Sequence, residues 1–424
     1  MKAINKGDAM NLINRGIVAV ATAMLFVASS ADAQDSSIYV QCPETTDLHP
    51  TGEGITCKHL SGGDGMVTMA DGEELYIFSF ADIPLPGDPG VPTDPAEYPG
   101  YVMETGMLAG NAPAPTIEVD EDDEVFLSLT NVGMTMRPDL FDPHTVHWHG
   151  FPQASSIFDG VPDASVSINM GATLTYYYLA KDAGTYMYHC HVEATEHMQM
   201  GMLGNLFVRP RQNRCDTLTD DPAIPGTACP AGHVNGVTKY AYNDGDGSTR
   251  YDEQYPIQIG SFDKNFHDAS FNVQPLPFAA MKDTYFLLNG RGYPDTVDPN
   301  PRSTTDPLGT LQESQPVSSL ITAAPGQRIL LRISNLNVTT FNTLATNGLP
   351  MQVIALDARL LRDGAGTNMY YYTNSLTLGG GQSADVIITA PATAGTYFLY
   401  TTNLDRLANN TENFGGMMTE IRIN

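Results

Sequence analysis

A stretch of fifteen residues from Tyr188 to Met202, YHCHVEATEHMQMGM, constrains the fold more than any other part of the chain. It contains one cysteine, three histidines and three methionines, a density typical of a metal site. In an extended segment successive side chains point to opposite faces, so His189 and His191 face one way and Cys190 the other. The stretch therefore predicts a β-strand that carries metal ligands on both faces.

A second group of histidines lies earlier in the chain, in the segment HTVHWHG at 144–150. If this segment is extended, His147 and His149 share one face, whereas His144 falls on the other. The alternation predicts two separate metal groups. The outer group consists of His147, His149, His189 and His191.

The inner group is predicted to surround Cys190 on the opposite face. A thiolate with imidazoles and a weak thioether is the ligand set that suits copper in an electron-transfer site. The predicted ligands are His144, Cys190, His197 and, as a long axial ligand, Met202 or Met198. Because Cys190 is covalently continuous with His189 and His191, an electron at the inner copper has a short bonded path to the outer group.

Short β-rich runs separated by Gly, Pro, Asp and Asn fill the chain from Met66 onward, which indicates a β-sandwich or barrel. The predicted strands lie at 74–80, 115–119, 124–131, 173–180, 184–191, 204–208, 255–262, 284–290, 327–335, 350–361, 383–391 and 395–403. No stretch shows helical periodicity, so we predict an all-β chain. The runs GTYMYHCH and GTYFLYTT indicate one structural unit used twice, of which the second copy has lost the Cys and His.

The N-terminal residues have the features of a secretory signal: a basic start, an apolar run at 16–27 and an Ala-Asp-Ala cleavage triplet. We therefore expect export, to the periplasm or out of the cell. No other segment is long and apolar enough to cross a bilayer. The predicted organisation is a signal peptide at 1–33, an N-terminal extension at 34–65, a copper-binding domain at 66–210, a linker with a disulfide at 211–255 and a copper-free domain at 256–424.

Cysteine usage agrees with an oxidising compartment. Of five cysteines, Cys42 with Cys57 and Cys215 with Cys229 are the natural disulfide pairs, each closing a short loop. Cys190 is left unpaired, and metal ligation would protect its thiol. The formal net charge of −27 excludes nucleic acid and anionic membranes as partners.

Together these motifs resemble the multicopper oxidase family, laccases among them. Residues 111–210 match its copper-bearing cupredoxin pattern through PAPTIEV, the HxxHxHG run, FDGVPDAS and GTYMYHCH. Residues 284–403 resemble a copper-free cupredoxin domain of the same family through LLNGRG, LRISN and GQSADVIITAPATAGTYFLY. The resemblance implies two cupredoxin-like Greek-key β-sandwich or barrel domains, with a type 1 copper in the first.

The resemblance also implies ligand roles. The type 1 ligands would be His144, Cys190, His197 and Met202, the type 2 ligand His147, and the type 3 ligands His149, His189 and His191. One departure is that His197 follows Cys190 by seven residues instead of the usual five. We expect this longer loop to change the solvent access or the reduction potential of the copper more than it affects whether copper binds.

A second departure concerns the number of histidines. A trinuclear copper cluster of this family needs eight, whereas this chain has ten in all and only six remain after His49, His59, His144 and His197 are set aside. We therefore expect a homo-oligomer in which the outer faces of two or more chains meet. The alternative is a reduced site with one or two coppers, with His233 or His267 lent by a neighbour.

The predicted function is that of an exported copper oxidase. Electrons from a phenol, a metal ion or a redox protein would enter at the type 1 copper near His197. They would then pass through Cys190 to the copper held by His189 and His191, where dioxygen is reduced. Alternatives are a copper-binding electron-transfer protein and a nitrite reductase-like enzyme, although His191 argues against the second.

Other histidines and one acidic tract receive plainer interpretations. His49 and His59 have no partner at ligand spacing and are predicted to lie on the surface. His233 and His267 are predicted to be surface residues or satisfied core residues. The Asp244-Gly245-Asp246 tract is interpreted as a plain turn in preference to a calcium loop.

Overall fold

The structure is a computed structural model that describes residues 40–215 and 229–424. The predicted signal peptide at 1–33 and the start of the predicted extension lie outside the described residues, as do residues 216–228 of the predicted linker. No helix among the described residues is long and apolar enough to cross a membrane.

The first half of the described chain forms two four-stranded sheets. Its strands are β1 (Ile55–Thr68), β2 (Glu74–Asp82), β3 (Ile117–Asp120), β4 (Glu124–Gly133), β5 (His147–His149), β6 (Thr173–Leu179), β7 (Gly184–His189) and β8 (Leu203–Arg209). Two helices, α1 (Tyr98–Gly106) and α2 (Ala194–Met200), lie between strands. The sheet orders are β2-β1-β4-β6 and β3-β8-β7-β5.

The core of this first sandwich is formed by the inward faces of the two sheets. Leu127 and Leu129 of β4 are fully buried, as are Tyr176 and Tyr178 of β6, and both pairs follow the two-residue period of a strand. Trp148 of β5 packs edge-to-face against Tyr178 at 5.4 Å. Each such side chain contributes about 1.5–3 kcal/mol through burial.

The second half contains sixteen shorter strands and one helix, α3 (Lys264–Phe271). The strands are β9 (Lys239–Tyr240), β10 (Arg250–Tyr251), β11 (Glu253–Phe262), β12 (Tyr285–Leu288), β13 (Arg302–Thr305), β14 (Leu311–Gln315), β15 (Ile321–Ala323), β16 (Arg328–Asn335), β17 (Asn342–Thr346), β18 (Met351–Leu356), β19 (Arg359–Leu360), β20 (Tyr371–Thr373), β21 (Ser375–Leu378), β22 (Gln382–Thr389), β23 (Gly395–Thr401) and β24 (Met418–Ile423). The main sheets are β12-β11-β16-β22-β18-β19, with β20 beside β18, and β15-β24-β23-β17-β21. Two-stranded pairs form between β9 and β10 and between β13 and β14.

Strand pairing repeats between the two sandwiches. β1 runs parallel to β4 as β11 does to β16, and β3 runs parallel to β8 as β15 does to β24. β7 lies between β8 and β5, just as β23 lies between β24 and β17. The all-β fold and the repeated unit predicted from GTYMYHCH and GTYFLYTT are therefore confirmed.

A buried polar network ties β7 to the second sandwich. Thr185 donates its hydroxyl to Asp385 Oδ1 at 2.6 Å and accepts from Arg332 Nη1 at 3.0 Å. Ser383 Oγ donates to the main-chain oxygen of Thr185 at 2.9 Å. Because buried polar groups need partners, these contacts fix β7, which leads into His189, against the second sandwich.

Two details of the predicted organisation need correction. β1 begins at Ile55, inside the span 34–65 that we assigned to an extension, because this segment pairs with both β2 and β4. Three helices occur where no helical periodicity was found. They have between seven and nine residues, which is too short for a period of 3.6 to show clearly.

Candidate metal centre

The register of β5 and β7 places the two histidine segments side by side. In this antiparallel pair His147 lies opposite His189, and Trp148 opposite Tyr188. The side chains of Trp148 and Tyr188 point into the core, where both are buried. The alternation therefore leaves the histidines on the other face of the sheet, as the sequence pattern predicts.

The inner group gathers His144, Cys190 and His197 in the buried interior of the first sandwich. His197 Nδ1 lies 3.1 Å from Cys190 Sγ, and His144 Nδ1 lies 4.0 Å from the same sulfur. One ligand atom from each residue falls within 4.8 Å of the other two. All three residues are 0% exposed, and Cys190 is the free cysteine of the described residues.

Met202 is held next to this group by main-chain hydrogen bonds. Its N–H donates to His197 O at 2.8 Å, and its carbonyl accepts from Cys190 N at 3.2 Å. The residue is fully buried. Met198, the alternative axial ligand, is only partly buried and packs instead against Met187 and Leu336. The main chain thus brings Met202, and not Met198, directly beside Cys190.

Electrostatics in the inner group favour a thiolate. Burial opposes ionisation of the Cys190 thiol, but His197 and His144 outweigh it and lower the pKa well below its usual value. Burial likewise opposes a charge on His197, while the Cys190 thiolate and Asp142 raise its pKa to about 10. Asp142 Oδ2 lies 3.8 Å from His197 Nε2. A deprotonated thiol among imidazoles is the form that binds a metal.

The outer group is a tight cluster of imidazoles at the end of β5 and β7. His149 Nε2 lies 2.9 Å from His189 Nε2, and ligand atoms of His147, His149 and His189 lie within 4.8 Å of one another. The ring of His191 lies 4.9 Å from that of His147, measured between centroids. The structure therefore brings all four predicted members together.

Carbonyl oxygens orient the rings of the outer group. His147 Nδ1 donates to Asp159 O at 2.6 Å, and His189 Nδ1 donates to Cys190 O at 2.7 Å. The main chain of Gly381 in the second sandwich lies beside His149 and partly offsets the effect of burial on the pKa of that ring. A metal-ligating histidine usually donates its other ring N–H in this way, which leaves Nε2 free to bind.

Burial also keeps these imidazoles in the neutral form that metals bind. It is the largest cause that lowers the pKa of His189, to about 3, and His149 and His147 add to the effect. The pKa of His149 is lowered by burial first and then by His147. A cluster of neutral imidazoles with converging nitrogens is a set of donors that suits copper.

Cys190 joins the two groups. Its thiol lies in the inner group, while His189 on one side and His191 on the other belong to the outer group. Both groups fit copper: thiolate and imidazole ligands in one, imidazoles in the other. The predicted metal residues are thus assembled as two groups joined through Cys190, which directly follows β7.

Equivalent positions of the second sandwich hold no such ligands. There Ala345 pairs with Tyr400, where His147 pairs with His189 in the first. Thr401 follows at the position of Cys190. The loss of Cys and His noted in the sequence therefore falls on the residues that would face a metal.

The remaining histidines lie outside both groups. His59 is a correction, since it is fully buried and not on the surface, with Nδ1 2.7 Å from Tyr98 Oη and Nε2 2.7 Å from Thr130 Oγ1. His267 is also fully buried, as one of our two interpretations allowed. His49 and His233 are partly exposed.

Both predicted disulfides form, Cys42–Cys57 and Cys215–Cys229. The carboxylate of Asp244 accepts hydrogen bonds from the N–H groups of Asp246, Gly247 and Thr249, which agrees with a plain turn.

Sequence reasoning missed three residues that shape the metal groups, namely Asp142, Asp159 and Gly381. Asp142 and Asp159 lie in the segment around HTVHWHG, but Gly381 comes from the second sandwich and gives no local signal.

Comparison with known proteins identifies the family. Two family models, both described as multicopper oxidase, match residues 92–213 and 264–419. A multicopper oxidase of Talaromyces pinophilus is 37% identical over 116 residues, which are 27% of this chain and 18% of the relative. A multicopper oxidase of Mycobacterium tuberculosis is 26% identical over 298 residues, 69% of this chain and 49% of the relative. The chain thus spans at most about half the length of these relatives.

Solved structures share the fold. The blue copper oxidase of Nitrosomonas europaea superposes with a TM-score of 0.58 at 22% identity, covering 87% of this chain and 86% of that one. A copper nitrite reductase of the same organism gives a TM-score of 0.52 at 16% identity, with coverage of 87% and 94%. The fold is therefore cupredoxin-like in both sandwiches. With its two family matches covering both halves, the chain belongs to the multicopper oxidase family, whose members carry copper.

Proposed function

We propose that this protein is a copper-dependent oxidase that takes electrons one at a time from a donor at the inner group and reduces dioxygen at the outer group. Copper bound at the two groups would supply the redox chemistry, since it cycles between Cu(I) and Cu(II). The observation that carries the proposal is the position of Cys190, whose thiol lies in one group while both of its chain neighbours lie in the other.

The two groups separate the inner ligands from the outer ones, and the resemblance to the family supports the further division into type 2 and type 3 ligands. The type 1 ligands are His144, Cys190, His197 and Met202; the type 2 ligand is His147; and the type 3 ligands are His149, His189 and His191. The protein holds the inner ligands dry and pre-positioned in the core, so little reorganisation is needed on electron transfer.

The electron donor is proposed to approach the side of the inner group on which Asp142 lies. Phe141 beside it is 69% exposed, and the carboxylate of Asp142 is close to His197 Nε2. An exposed aromatic ring next to a carboxylate suits an aromatic or cationic donor. A phenol, a metal ion and a redox protein each meet part of this description.

Dioxygen would reach the outer group through an open cavity of about 440 Å³ beside His149. Its walls include Thr195 and Met198 of the α2 segment and Phe341 of the second sandwich. The residues that line the cavity are either polar or apolar, and none of them carries a charge. Such a lining admits a small uncharged molecule without a desolvation cost for charges.

Completion of the outer group is proposed to involve a second chain. His147, His149 and His191 are partly exposed, so another molecule can reach them, and four histidines per chain are half of what a trinuclear cluster needs. Copper content measured together with sedimentation tests this step. A strictly monomeric protein that binds four coppers would contradict it.

Export is proposed from the two disulfides and the predicted signal segment. Disulfides persist in oxidising compartments and are rare in the cytosol. We accordingly place the working protein in the periplasm or outside the cell.

Two substitutions separate the roles of the groups. Cys190→Ser removes the thiolate, so the blue absorption and dioxygen consumption should both be lost. His191→Ala changes only the outer group, so the blue absorption should remain while dioxygen consumption falls. If His191→Ala keeps full oxidase activity, the assignment of the outer group is wrong.

A second candidate function is electron transfer without oxidase activity. It is favoured by the second sandwich, which has Ala345, Tyr400 and Thr401 where ligands stand in the first. In that case copper analysis would find the blue site, no near-ultraviolet band of a coupled copper pair and no dioxygen consumption. Nitrite turnover by the same preparation would instead indicate a nitrite reductase-like enzyme.

A further inference from the structure

The second sandwich contacts the helix that carries His197. α2 spans Ala194–Met200, and its last turn faces β2 of the first sandwich and α3 of the second. Its first four residues belong to the seven-residue step from Cys190 to His197, which is longer than the family pattern, and its last three follow His197. The step therefore ends inside a helix whose C-terminal end contacts the second sandwich at Gln199.

His267 of α3 is the central contact. Its Nε2 lies 3.0 Å from Gln199 O at the end of α2, and its Nδ1 lies 2.6 Å from Tyr76 O of β2. The ring is 0% exposed and packs against Phe262 at 4.7 Å. A protonated ring donates to both oxygens, and a neutral ring donates to one of them.

The carbonyl of Gln199 has no partner within its own helix. The last carbonyls of a helix lack the N–H of the next turn. In a continuing helix the N–H of Leu203 would donate to Gln199 O. Here it donates to Gly201 O at 2.8 Å instead. A histidine near a helix C-terminus can satisfy such a carbonyl, and His267 is placed to do so.

The other oxygen belongs to a sheet edge. β2 is the outermost strand of its sheet, so carbonyls on its free side also need donors. By contacting Tyr76 O and Gln199 O together, His267 links the edge of β2 to the end of α2. One buried side chain from the second sandwich thus fixes the distance between two elements of the first.

The side chain of Gln199 adds a second contact. Its Nε2 lies 3.3 Å from Asp283 Oδ1, and Asp283 is in turn held by Ser261 Oγ at 2.6 Å. Gln199 is 1% exposed and Asp283 9%. The end of α2 is therefore held to the second sandwich through both its main chain and a side chain.

These contacts lie two residues from His197 and three from Met202. His197 O accepts the N–H of Met202, whose carbonyl accepts that of Cys190. A shift of Gln199 would be transmitted along this chain of hydrogen bonds to predicted ligands of the inner copper. We propose that His267, assisted by Asp283, is a positioning residue of the inner copper site, so that the copper-free second sandwich sets the geometry of the loop from Cys190 to Met202. This inference rests on the proposed inner copper site.

A matched pair of substitutions tests it. His267→Asn can keep a donor near the Nδ1 position, which contacts Tyr76, but it leaves the Nε2 position empty. His267→Gln can place an amide N–H near the Nε2 position, which contacts Gln199. Each variant keeps one of the two contacts and loses the other, so a merely structural role predicts the same behaviour for both.

The first readout is hydrogen exchange of residues 197–203 in the metal-free protein. Loss of a net hydrogen bond worth about 1 kcal/mol corresponds to roughly fivefold to tenfold faster exchange. We expect this acceleration in His267→Asn and not in His267→Gln. The second readout is the copper-loaded protein, in which only His267→Asn should shift the blue absorption band and the reduction potential.

Gln199→Leu provides a test that leaves His267 intact. It removes the contact with Asp283 while the carbonyl of residue 199 remains, so a smaller acceleration in the same segment is expected. If the two His267 variants exchange and absorb alike, or if Gln199→Leu is faster than His267→Asn, the positioning role is refuted. A wild-type protein without a blue copper band would refute the proposed function itself, which is a distinguishable result.

Discussion

Burial of His59 gives the stability of this protein a pH dependence that can be worked out from the structure. Tyr98 donates its own proton to Pro84 O at 3.0 Å, so its oxygen accepts from His59 Nδ1–H. Nε2 then accepts from the hydroxyl of Thr130. The neutral ring satisfies all these bonds, and burial lowers its pKa from 6.5 to about 4.

The direction follows from proton counting. Between pH 6.5 and about 4 the unfolded chain binds a proton on His59 that the folded protein does not. The free energy of unfolding therefore falls as the pH falls through this window. With about 1.36 kcal/mol for each pKa unit, the loss at pH 5 is about 2 kcal/mol and approaches about 3.4 kcal/mol below pH 4.

The assay is urea denaturation of the metal-free protein at pH 7 and pH 5, for the wild type and for His59→Asn. The variant should be less stable at pH 7, because it loses part of a buried hydrogen-bond network. Between pH 7 and pH 5 the wild type should lose about 2 kcal/mol more than the variant, since other titrating groups are common to both. Equal losses would show that His59 is not buried in neutral form.

Three further predictions concern glycines and a disulfide. A Cβ at Gly62 would lie 2.9 Å from the His144 ring, so Gly62→Ala should shift the blue absorption band while the copper content of the outer group is kept, as measured by spectroscopy and metal analysis. A Cβ at Gly381, where φ is +86°, would lie 2.7 Å from His149 Nδ1, so Gly381→Ala should lower dioxygen consumption and spare the blue band. If both variants change the same band, the division into two groups is wrong. Replacing Cys42 and Cys57 by Ser opens a loop with a sequence separation of 15 and should lower the free energy of unfolding by about 3 kcal/mol, measured by denaturation; an unchanged value would mean that the disulfide does not form.

Local patterns predicted the strands and both metal groups because the information lies within a few residues. Strand alternation fixes which side chains share a face, and this places His147 with His149 and separates Cys190 from its neighbours. Cys190 could be excluded from the disulfides because four of the five cysteines form two pairs that each close a short loop. These features needed no knowledge of distant contacts.

What could not be predicted depends on long-range packing. His59 has no ligand partner nearby in sequence, but the fold brings Tyr98 and Thr130 to its two nitrogens. Likewise, Gly381 and His267 reach the two groups from the second sandwich. His267 lies 65 residues beyond Met202, the nearest predicted ligand in sequence. A single sequence gives no signal for such contacts.

The repeated strand pairing also constrains how two chains can complete the outer group. If the outer group of one chain faced the second sandwich of a neighbour, the equivalent positions there would offer Ala345, Tyr400 and Thr401. None of these residues supplies an imidazole. Of the histidines outside both groups, His59 and His267 are fully buried and engaged in hydrogen bonds. The other two, His49 and His233, are too few to supply the four further imidazoles, which must then come from the same face of another chain. A contact between identical faces is isologous and has two-fold symmetry, so a ring of chains joined head to tail would leave the outer group half complete.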